Sequence, residues 1–265
     1  MTEPPSMRLG ALLLGVLALP CAGMTLSAGS HARGQGSQRQ RCLKFMHLPK
    51  NAGGSINHAV LGLPQEDKPF TSLDIVSLET GITHRVYYPD GGFCKESHSA
   101  PNYDHDLAAY FSEDGCETFC VVREPVSRFL SAARMSFAMT STGSTLCTPE
   151  EFEDYTRSTL TALQHHSWAF NCTFNKQVEM VYGVLRKSVA QAQYCTRILR
   201  FENITEEFNS LMMEYGSNLT MPAEHLHSFS PHCDISVDTI TPATKDMILD
   251  FYSEDIAAFG YGSMA

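Results

Sequence analysis

Three short apolar runs, at residues 42–47, 117–122 and 197–201, are each followed by apolar positions with helical spacing. In the first case a glycine-containing turn separates the run from the helical pattern. Strands that alternate with helices in this way are typical of a parallel sheet with both faces covered. The pattern therefore predicts an α/β fold with a central parallel β-sheet covered by helices.

Two other segments have different patterns. Residues 80–115 are rich in Asp, Gly, Pro, Ser and His, which predicts irregular structure lying over the sheet, where catalytic groups are often found. Near the C-terminus, Thr241 followed by Pro242 fits a helix N-cap with proline at the first helical position. We expect this last helix to serve packing and not chemistry.

The N-terminal segment has the pattern of a secretory leader. Arg8 precedes an apolar run over residues 9–19, and small residues follow Pro20, as in a cleaved signal peptide. An uncleaved signal anchor over residues 9–28 is the alternative, since that length could span a bilayer. Residues 1–28 are therefore predicted to be a signal peptide or a signal anchor.

Cysteines and sequons point to the same compartment. Nine cysteines are unusual for a reducing compartment, and one of them, Cys21, lies in the leader and leaves an even eight. Asn-x-Ser/Thr sequons at Asn171, Asn203 and Asn218 agree with passage through the secretory pathway. Residues 29–41, rich in Gly, Ser, Gln and Arg, are predicted to form a flexible stem.

Composition narrows the class of ligand. The chain has 43% hydrophobic residues, which excludes wholesale disorder, and a formal net charge of −10. A field of that sign repels polyanions, so no nucleic-acid partner is expected. Any bound anion must then be held by a local cluster of cations and backbone N–H groups.

The first strand-to-helix turn has the residues of such an anion site. Residues 49–55 (PKNAGGS) place Lys50 ahead of Gly53 and Gly54, with Ser55 behind them. A glycine-containing turn lets N–H groups approach an anion, and the helix N-terminus adds a favourable dipole. Because the lysine precedes both glycines, the turn differs from a nucleotide-triphosphate P-loop, which argues against an ATPase or kinase. An ordinary turn with an exposed lysine is the alternative.

A second anion site is predicted after the second apolar run. Arg123 follows that run directly, and Ser131 lies eight residues later, about two helical turns along and on the same approximate face. A guanidinium and a hydroxyl at a strand end can hold a phosphate. Two anion sites on one sheet suggest a ligand with two phosphate groups.

Both sites match a known family. Residues 47–55 (HLPKNAGGS) closely resemble the 5′-phosphosulfate loop of the Golgi carbohydrate sulfotransferases, of the heparan, chondroitin and dermatan sulfate type, and residues 121–131 (VVREPVSRFLS) resemble their 3′-phosphate motif. Weaker similarity extends to residues 199–204 and 259–261. The resemblance implies a three-layer, P-loop-like fold, with residues 42–265 as the sulfotransferase domain. It also implies 3′-phosphoadenosine 5′-phosphosulfate (PAPS) as sulfuryl donor, no required metal, and residence in the Golgi or secretion.

The resemblance also implies roles for individual residues. Lys50 would contact the oxygen that bridges sulfate and phosphate. The donor-binding residues that the resemblance implies are Lys50, Asn51, Ala52, Gly53, Gly54, Ser55, Arg123 and Ser131. Gly54 stands where the family commonly has threonine, and Glu124 where aspartate is common. Further cations for the donor are expected at Arg128 and Arg134.

Sulfuryl transfer needs a base for the acceptor hydroxyl and a cation for the leaving phosphate. Lys50 fits the second need. For the first we expect His98, because residues 94–101 (CKESHSAP) are similar to the segment found at this place in related sulfotransferases. His105 and His84 are the alternatives.

Other clusters are given no catalytic role. His225, His227 and the pair His232-Cys233 match no closed zinc pattern and predict a surface loop. The pair His165-His166 predicts the end of an amphipathic helix. Gln177 falls where relatives carry a Cys…Gln segment, and we expect a structural loop near the acceptor.

The cysteine pairing stays open, because eight cysteines allow 105 pairings. A Cys172–Cys195 disulfide is one expectation, with Cys120 as a free buried thiol.

The leading hypothesis is a luminal enzyme that transfers a sulfuryl group from PAPS to a glycan hydroxyl. The alternative is a catalytically inactive luminal or secreted binding protein on the same scaffold, which the glycine at position 54 favours. The acidic chain suits a neutral or lightly charged glycan better than a heparin-like one. Acceptor choice is expected to depend on residues 80–115 and 140–148.

Overall fold

The computed structural model describes residues 42–112, 115–140, 148–184, 192–222 and 235–263. For residues 137–140 it describes the backbone only. The predicted leader and stem, the cluster around His225 and most of the segment 140–148 lie outside the described residues. Within the described ranges, no helix combines the length and apolarity needed to cross a membrane.

The main sheet has four parallel strands. The strands among the described residues are β1 (Leu43–Met46), β2 (Thr71–Ser72), β3 (Arg85–Tyr87), β4 (Phe93–Lys95), β5 (Glu117–Val122) and β6 (Arg197–Arg200). The order in the main sheet is β2-β1-β5-β6, and β3 and β4 form a separate antiparallel hairpin. Phe45 pairs with Phe119, and Val121 pairs with Leu199.

Helices flank this sheet. The helices in the described ranges are α1 (Gly53–Val60), α2 (Leu73–Thr80), α3 (His105–Ser112), α4 (Pro125–Thr140), α5 (Pro149–His165), α6 (Gln177–Tyr182), α7 (Ile204–Glu214), α8 (Pro242–Phe251) and α9 (Ser253–Phe259). Each of the three predicted strands is present and is followed by its predicted helix. The α/β prediction is therefore confirmed at this level, and α5 ends at His165 as expected.

Alternate residues of the strands face two different parts of the core. Phe45 and Phe119 pack in one cluster with residues of α1 and α7. Met46 and Cys120 belong to another cluster, with residues of α6 and the β3–β4 hairpin. Because successive side chains of a strand point to opposite faces, both faces of the sheet are covered. The nearly unbroken apolar character of β1 and β5 follows from this double burial.

The prediction of irregular structure over residues 80–115 is wrong for much of that segment. It contains the β3–β4 hairpin and helix α3. The backbone N–H of Tyr88 donates to the carbonyl of Gly92 at 2.8 Å, and Gly91 adopts φ 95° in the turn. The Asp-Gly pair in this turn is a hairpin signal that the polar composition obscured.

The disulfides correct the expected cysteine pairing. The structure has the disulfides Cys42–Cys116, Cys94–Cys172 and Cys120–Cys195. The expected Cys172–Cys195 bond is therefore wrong, and Cys120 is not a free thiol. Strand β6 lies beside β5 and places the α-carbon of Cys195 6.0 Å from that of Cys120.

These bonds also bear on the compartment. Three disulfides fit an oxidising environment, that of the secretory pathway or outside the cell. Cys147 and Cys233 lie outside the described residues.

The predicted C-terminal helix forms as two helices. The hydroxyl of Thr241 accepts the N–H of Thr244 at 3.1 Å and caps α8 as expected. The chain then departs from helical geometry at Tyr252, before α9 begins. These two helices do more than pack against the core. The carboxylate of Asp255, in α9, accepts hydrogen bonds from the first backbone N–H groups of α6 and so anchors the start of that helix.

Candidate functional site

A cavity of about 1230 Å³ opens where β1, β5 and β6 end. Such crevices at the carboxyl ends of parallel strands are the usual ligand sites of open α/β sheets. Its lining includes seven of the eight predicted donor-binding residues and the predicted base: Lys50, Ala52, Gly53, Gly54, Ser55, His98, Arg123 and Ser131. Residues far apart in the chain are thus brought to one site.

Asn51 is the predicted donor-binding residue that does not line the cavity. Its side chain is 1% exposed and points into the protein. The amide donates to the carbonyl of Val121 and to the Oε1 atom of Gln177, both at 2.7 Å. The side chain of Asn51 therefore joins the turn to strand β5 and is not available to a ligand.

The turn between β1 and α1 has an unusual backbone. Lys50 and Ala52 adopt φ values of 70° and 63°, in the left-handed region that non-glycine residues seldom occupy. Ala52 is the N-cap of α1, and no side chain caps the helix there. The first N–H groups of α1 consequently face the cavity without a capping side chain, as in anion sites at helix N-termini.

Lys50 extends into the cavity, where the closest polar contact of its ammonium is the sulfur of Met135 at 3.5 Å. Within the described parts of the chain it has no acidic partner. Burial, and then the charge of Arg123, lowers the pKa of Lys50 to about 8. A half-buried ammonium without a counter-charge favours an anionic ligand, which would restore the lost solvation.

Arg123 forms the second predicted anion site, on the other side of the turn. Its guanidinium donates to the hydroxyl of Ser127 at 2.9 Å and to the carbonyl of Lys50 at 3.2 Å, and it lies 3.9 Å from the ring centre of Phe201. Burial lowers the pKa of Arg123 to about 10, although the negative charge of Glu202 acts to raise it. It remains a cation at neutral pH and is held in place for a ligand.

The two further cations differ from each other. Arg134 lines the cavity. Arg128 does not: it is 2% exposed, and it donates to the carbonyls of Pro49 and Thr173, both at 3.1 Å. The expectation that Arg128 contacts the donor is therefore wrong. Arg128 instead holds the turn in place through the carbonyl of Pro49.

Of the three histidines considered as the base, His98 alone lines the cavity. Its Nδ1 atom lies 3.2 Å from the carbonyl oxygen of Asn171. Burial lowers the pKa of His98 to about 4, so the ring is neutral at physiological pH. His105 has a side chain that is 91% exposed, and His84 is also exposed.

Gln177 is a structural residue whose place the sequence did not reveal. It is the first residue of α6 rather than part of a loop, and it is 0% exposed. Its Oε1 atom accepts from Asn51 and from the backbone N–H of Arg123 at 2.8 Å, and its Nε2 donates to the carbonyl of Arg123 at 2.9 Å. Gln177 thereby joins the two predicted anion sites.

The sequence also indicated no role for His47 and Asp74, which contact each other beside the cavity. His47 lines the cavity, and its Nδ1 atom is hydrogen-bonded to the carboxylate of Asp74. The two residues follow β1 and β2, which are adjacent parallel strands. The signal in the sequence was weak, because β2 has only two residues and lacks an apolar run.

We expect Gly53→Ala to disrupt the site, because the ring of His47 lies against this glycine. An added Cβ would fall 2.0 Å from the Cδ2 atom of His47, so the ring must move. The expected cost is about 1–3 kcal/mol of unfolding free energy, measured by urea denaturation. The double variant Gly53→Ala/His47→Ala should recover most of this loss, and no recovery would contradict the account.

Comparisons with protein-family models, with curated proteins and with solved structures found no match. The functional conclusion therefore rests on the residues of the cavity and on the resemblance of its two motifs.

Proposed function

We propose that the protein is a carbohydrate sulfotransferase with a P-loop-like fold, which transfers a sulfuryl group from PAPS to a hydroxyl of a glycan. One observation carries the proposal: a single cavity contains both predicted anion sites, Lys50 at the N-terminus of α1 and Arg123 with Ser131. PAPS has a phosphosulfate at one end of its ribose and a phosphate on the 3′ position. A donor with two anionic groups fits two cationic sites better than a ligand with one.

The reaction places separate demands on the residues of the cavity. The acceptor oxygen forms a bond to sulfur, and the bond from sulfur to the bridging oxygen breaks with its electron pair on the 5′-phosphate. Lys50 would stabilise that developing charge. A histidine would take the acceptor proton. By analogy with phosphoryl transfer, positioning and electrostatics supply most of the acceleration.

The proposal extends to location and acceptor. We place the enzyme in the Golgi lumen or membrane, or outside the cell, with a glycan that is neutral or lightly charged as its acceptor. The disulfides support an oxidising compartment. The net charge of −10 supports the choice of acceptor, since a heavily sulfated chain would be repelled.

Donor binding can be tested with the product 3′,5′-ADP by titration calorimetry. We expect it to bind at least about tenfold more tightly than 5′-AMP, which lacks the 3′-phosphate. Arg123→Ala should remove that preference, whereas Arg85→Ala, which changes an exposed arginine beside Phe93, should keep it. Tighter binding of magnesium-ATP than of 3′,5′-ADP would favour a kinase and contradict the proposal.

The pKa of Lys50 predicts how donor affinity depends on pH. Lys50 is an ammonium below about pH 8 and loses its charge above it, because burial lowers its pKa. Affinity for 3′,5′-ADP should therefore fall by about tenfold between roughly pH 7 and pH 9. In Lys50→Arg the cation persists over this range, so the fall should disappear. Equal pH profiles for the two proteins would show that Lys50 does not contact the ligand.

The inactive binding protein remains the second candidate. It would bind 3′,5′-ADP through the same cations and transfer no sulfate to any glycan. Gly54, which lacks the hydroxyl of the threonine common in the family, is the feature that favours it.

A further inference from the structure

A second histidine faces the cavity beside His98. His47 lies three residues before Lys50, lines the cavity and has a side chain that is 16% exposed. The ring centres of His47 and His98 are 5.8 Å apart, and the planes of the two rings are nearly perpendicular. The cavity wall therefore offers two imidazoles to an acceptor, and their surroundings differ.

His47 is bound to a buried carboxylate. Its Nδ1 atom is hydrogen-bonded to Oδ2 of Asp74, which is 5% exposed and belongs to α2. Three more groups donate to this carboxylate: the amide of Asn57 at 3.1 Å, the hydroxyl of Ser97 at 2.8 Å and the ammonium of Lys95. A carboxylate with four donors is fixed in position and orientation.

This arrangement determines where the proton of His47 lies. Burial alone would raise the pKa of Asp74, but the hydrogen bonds from His47 and Lys95 and the charge of Lys95 hold it well below its usual range. Asp74 is therefore ionised, and an ionised carboxylate can only accept hydrogen bonds. The Nδ1 atom of His47 must donate, so in the neutral form of the ring the lone pair lies on Nε2.

The Nε2 side of the ring lies at the proposed phosphate site. Gly53 is the first residue of α1, and a Cβ added to it would fall 2.1 Å from Nε2 of His47. This edge of the ring therefore packs against the α-carbon of Gly53. Lys50 belongs to the same turn. The segment between β1 and α1 thus places both an imidazole and an ammonium in the lining of the cavity.

We propose that His47, oriented by Asp74, is the general base of the sulfuryl transfer, in place of His98. The inference rests on the proposed function. The acceptor hydroxyl gives its proton to Nε2 of His47 while its oxygen bonds to sulfur, and the electron pair of the breaking bond passes to the leaving 5′-phosphate beside Lys50. The carboxylate of Asp74 stabilises the imidazolium that forms and holds the ring in one tautomer.

His98 is less suited to this role. Its Nδ1 atom faces the carbonyl of Asn171, which offers no full counter-charge to an imidazolium. Its pKa of about 4, lowered chiefly by burial, means that it binds a proton weakly at neutral pH. Among the described residues, the titratable groups that contact the ring of His47 are Asp74, from α2, and His98, and Lys95 in turn contacts Asp74.

The test compares His47→Gln with His98→Gln, as matched substitutions on one cavity wall. We expect kcat for sulfate transfer to fall by about 10²–10⁴ in His47→Gln and by less than about tenfold in His98→Gln. Affinity for 3′,5′-ADP, measured on the same proteins, should stay within about threefold of the wild type, which shows that both fold and bind donor. An equal or larger loss in His98→Gln would overturn the proposal.

The pH profile of Asp74→Asn adds a readout that packing alone would not change. Without the carboxylate the imidazolium loses its counter-charge, so the acidic limb of the kcat profile should move to lower pH. An unmoved limb would overturn the role given to Asp74. A wild-type protein that neither binds 3′,5′-ADP nor transfers sulfate would instead contradict the proposed function itself.

Discussion

Lys50→Ala is expected to lower kcat for sulfate transfer by about 10²–10³-fold, the loss typical when one group that stabilises developing negative charge is removed. Lys50 lies at the N-terminus of α1, in the cavity and without an acidic partner in the described parts of the chain. Its charge is thus available to the leaving phosphate. Kinetics with labelled PAPS at saturating acceptor would measure the effect.

Two controls make this result specific to the cavity. Lys245→Ala removes a lysine from α8, which does not line the cavity, and should leave kcat unchanged. Lys50→Arg keeps the positive charge with a different geometry and should retain more activity than alanine. If Lys50→Ala transfers sulfate at near the wild-type rate, the leaving phosphate is not stabilised by this residue and the proposed mechanism is wrong.

Gln177→Leu is expected to have the largest effect on stability, about 2–4 kcal/mol of unfolding free energy. Leucine has a similar volume but neither accepts nor donates a hydrogen bond. The backbone N–H and carbonyl of Arg123 would both lose their partner in a site with 0% exposure, and Asn51 would lose one acceptor. Buried polar groups without partners carry the full cost of desolvation.

The measurement is urea denaturation, with 3′,5′-ADP titration on the same samples. Because Gln177 joins the turn of Lys50 to the end of β5, donor affinity should fall together with stability. Gln65→Leu, a change at an exposed glutamine, provides the matched control and should stay within about 0.5 kcal/mol of the wild type. An unchanged denaturation midpoint in Gln177→Leu would mean that this network does not hold the site.

Three of the four strands of the sheet and the positions of both predicted anion sites could be predicted, because local patterns determine them. Apolar runs predicted β1, β5 and β6 within one or two residues, and the glycines and cations that follow them are adjacent in sequence. Parallel strands bring their carboxyl ends to one edge, which places Lys50 and Arg123 together.

Pairings between distant segments were not predictable. The partner of Cys120 depends on which strand lies beside β5, and His47 meets Asp74 only because the short strand β2 pairs with β1. The same holds for Gln177, whose contacts join three segments of the chain. Composition also hid the β3–β4 hairpin, since its polar residues resemble those of a loop.

Transfer of labelled sulfate from PAPS to a panel of native and desulfated glycans tests the central claim most directly. The account predicts incorporation into at least one neutral or lightly charged glycan by the wild-type protein, and its loss in Lys50→Ala. Binding of 3′,5′-ADP without transfer to any glycan of the panel would contradict the claim, and the protein would then be a binding protein on this scaffold.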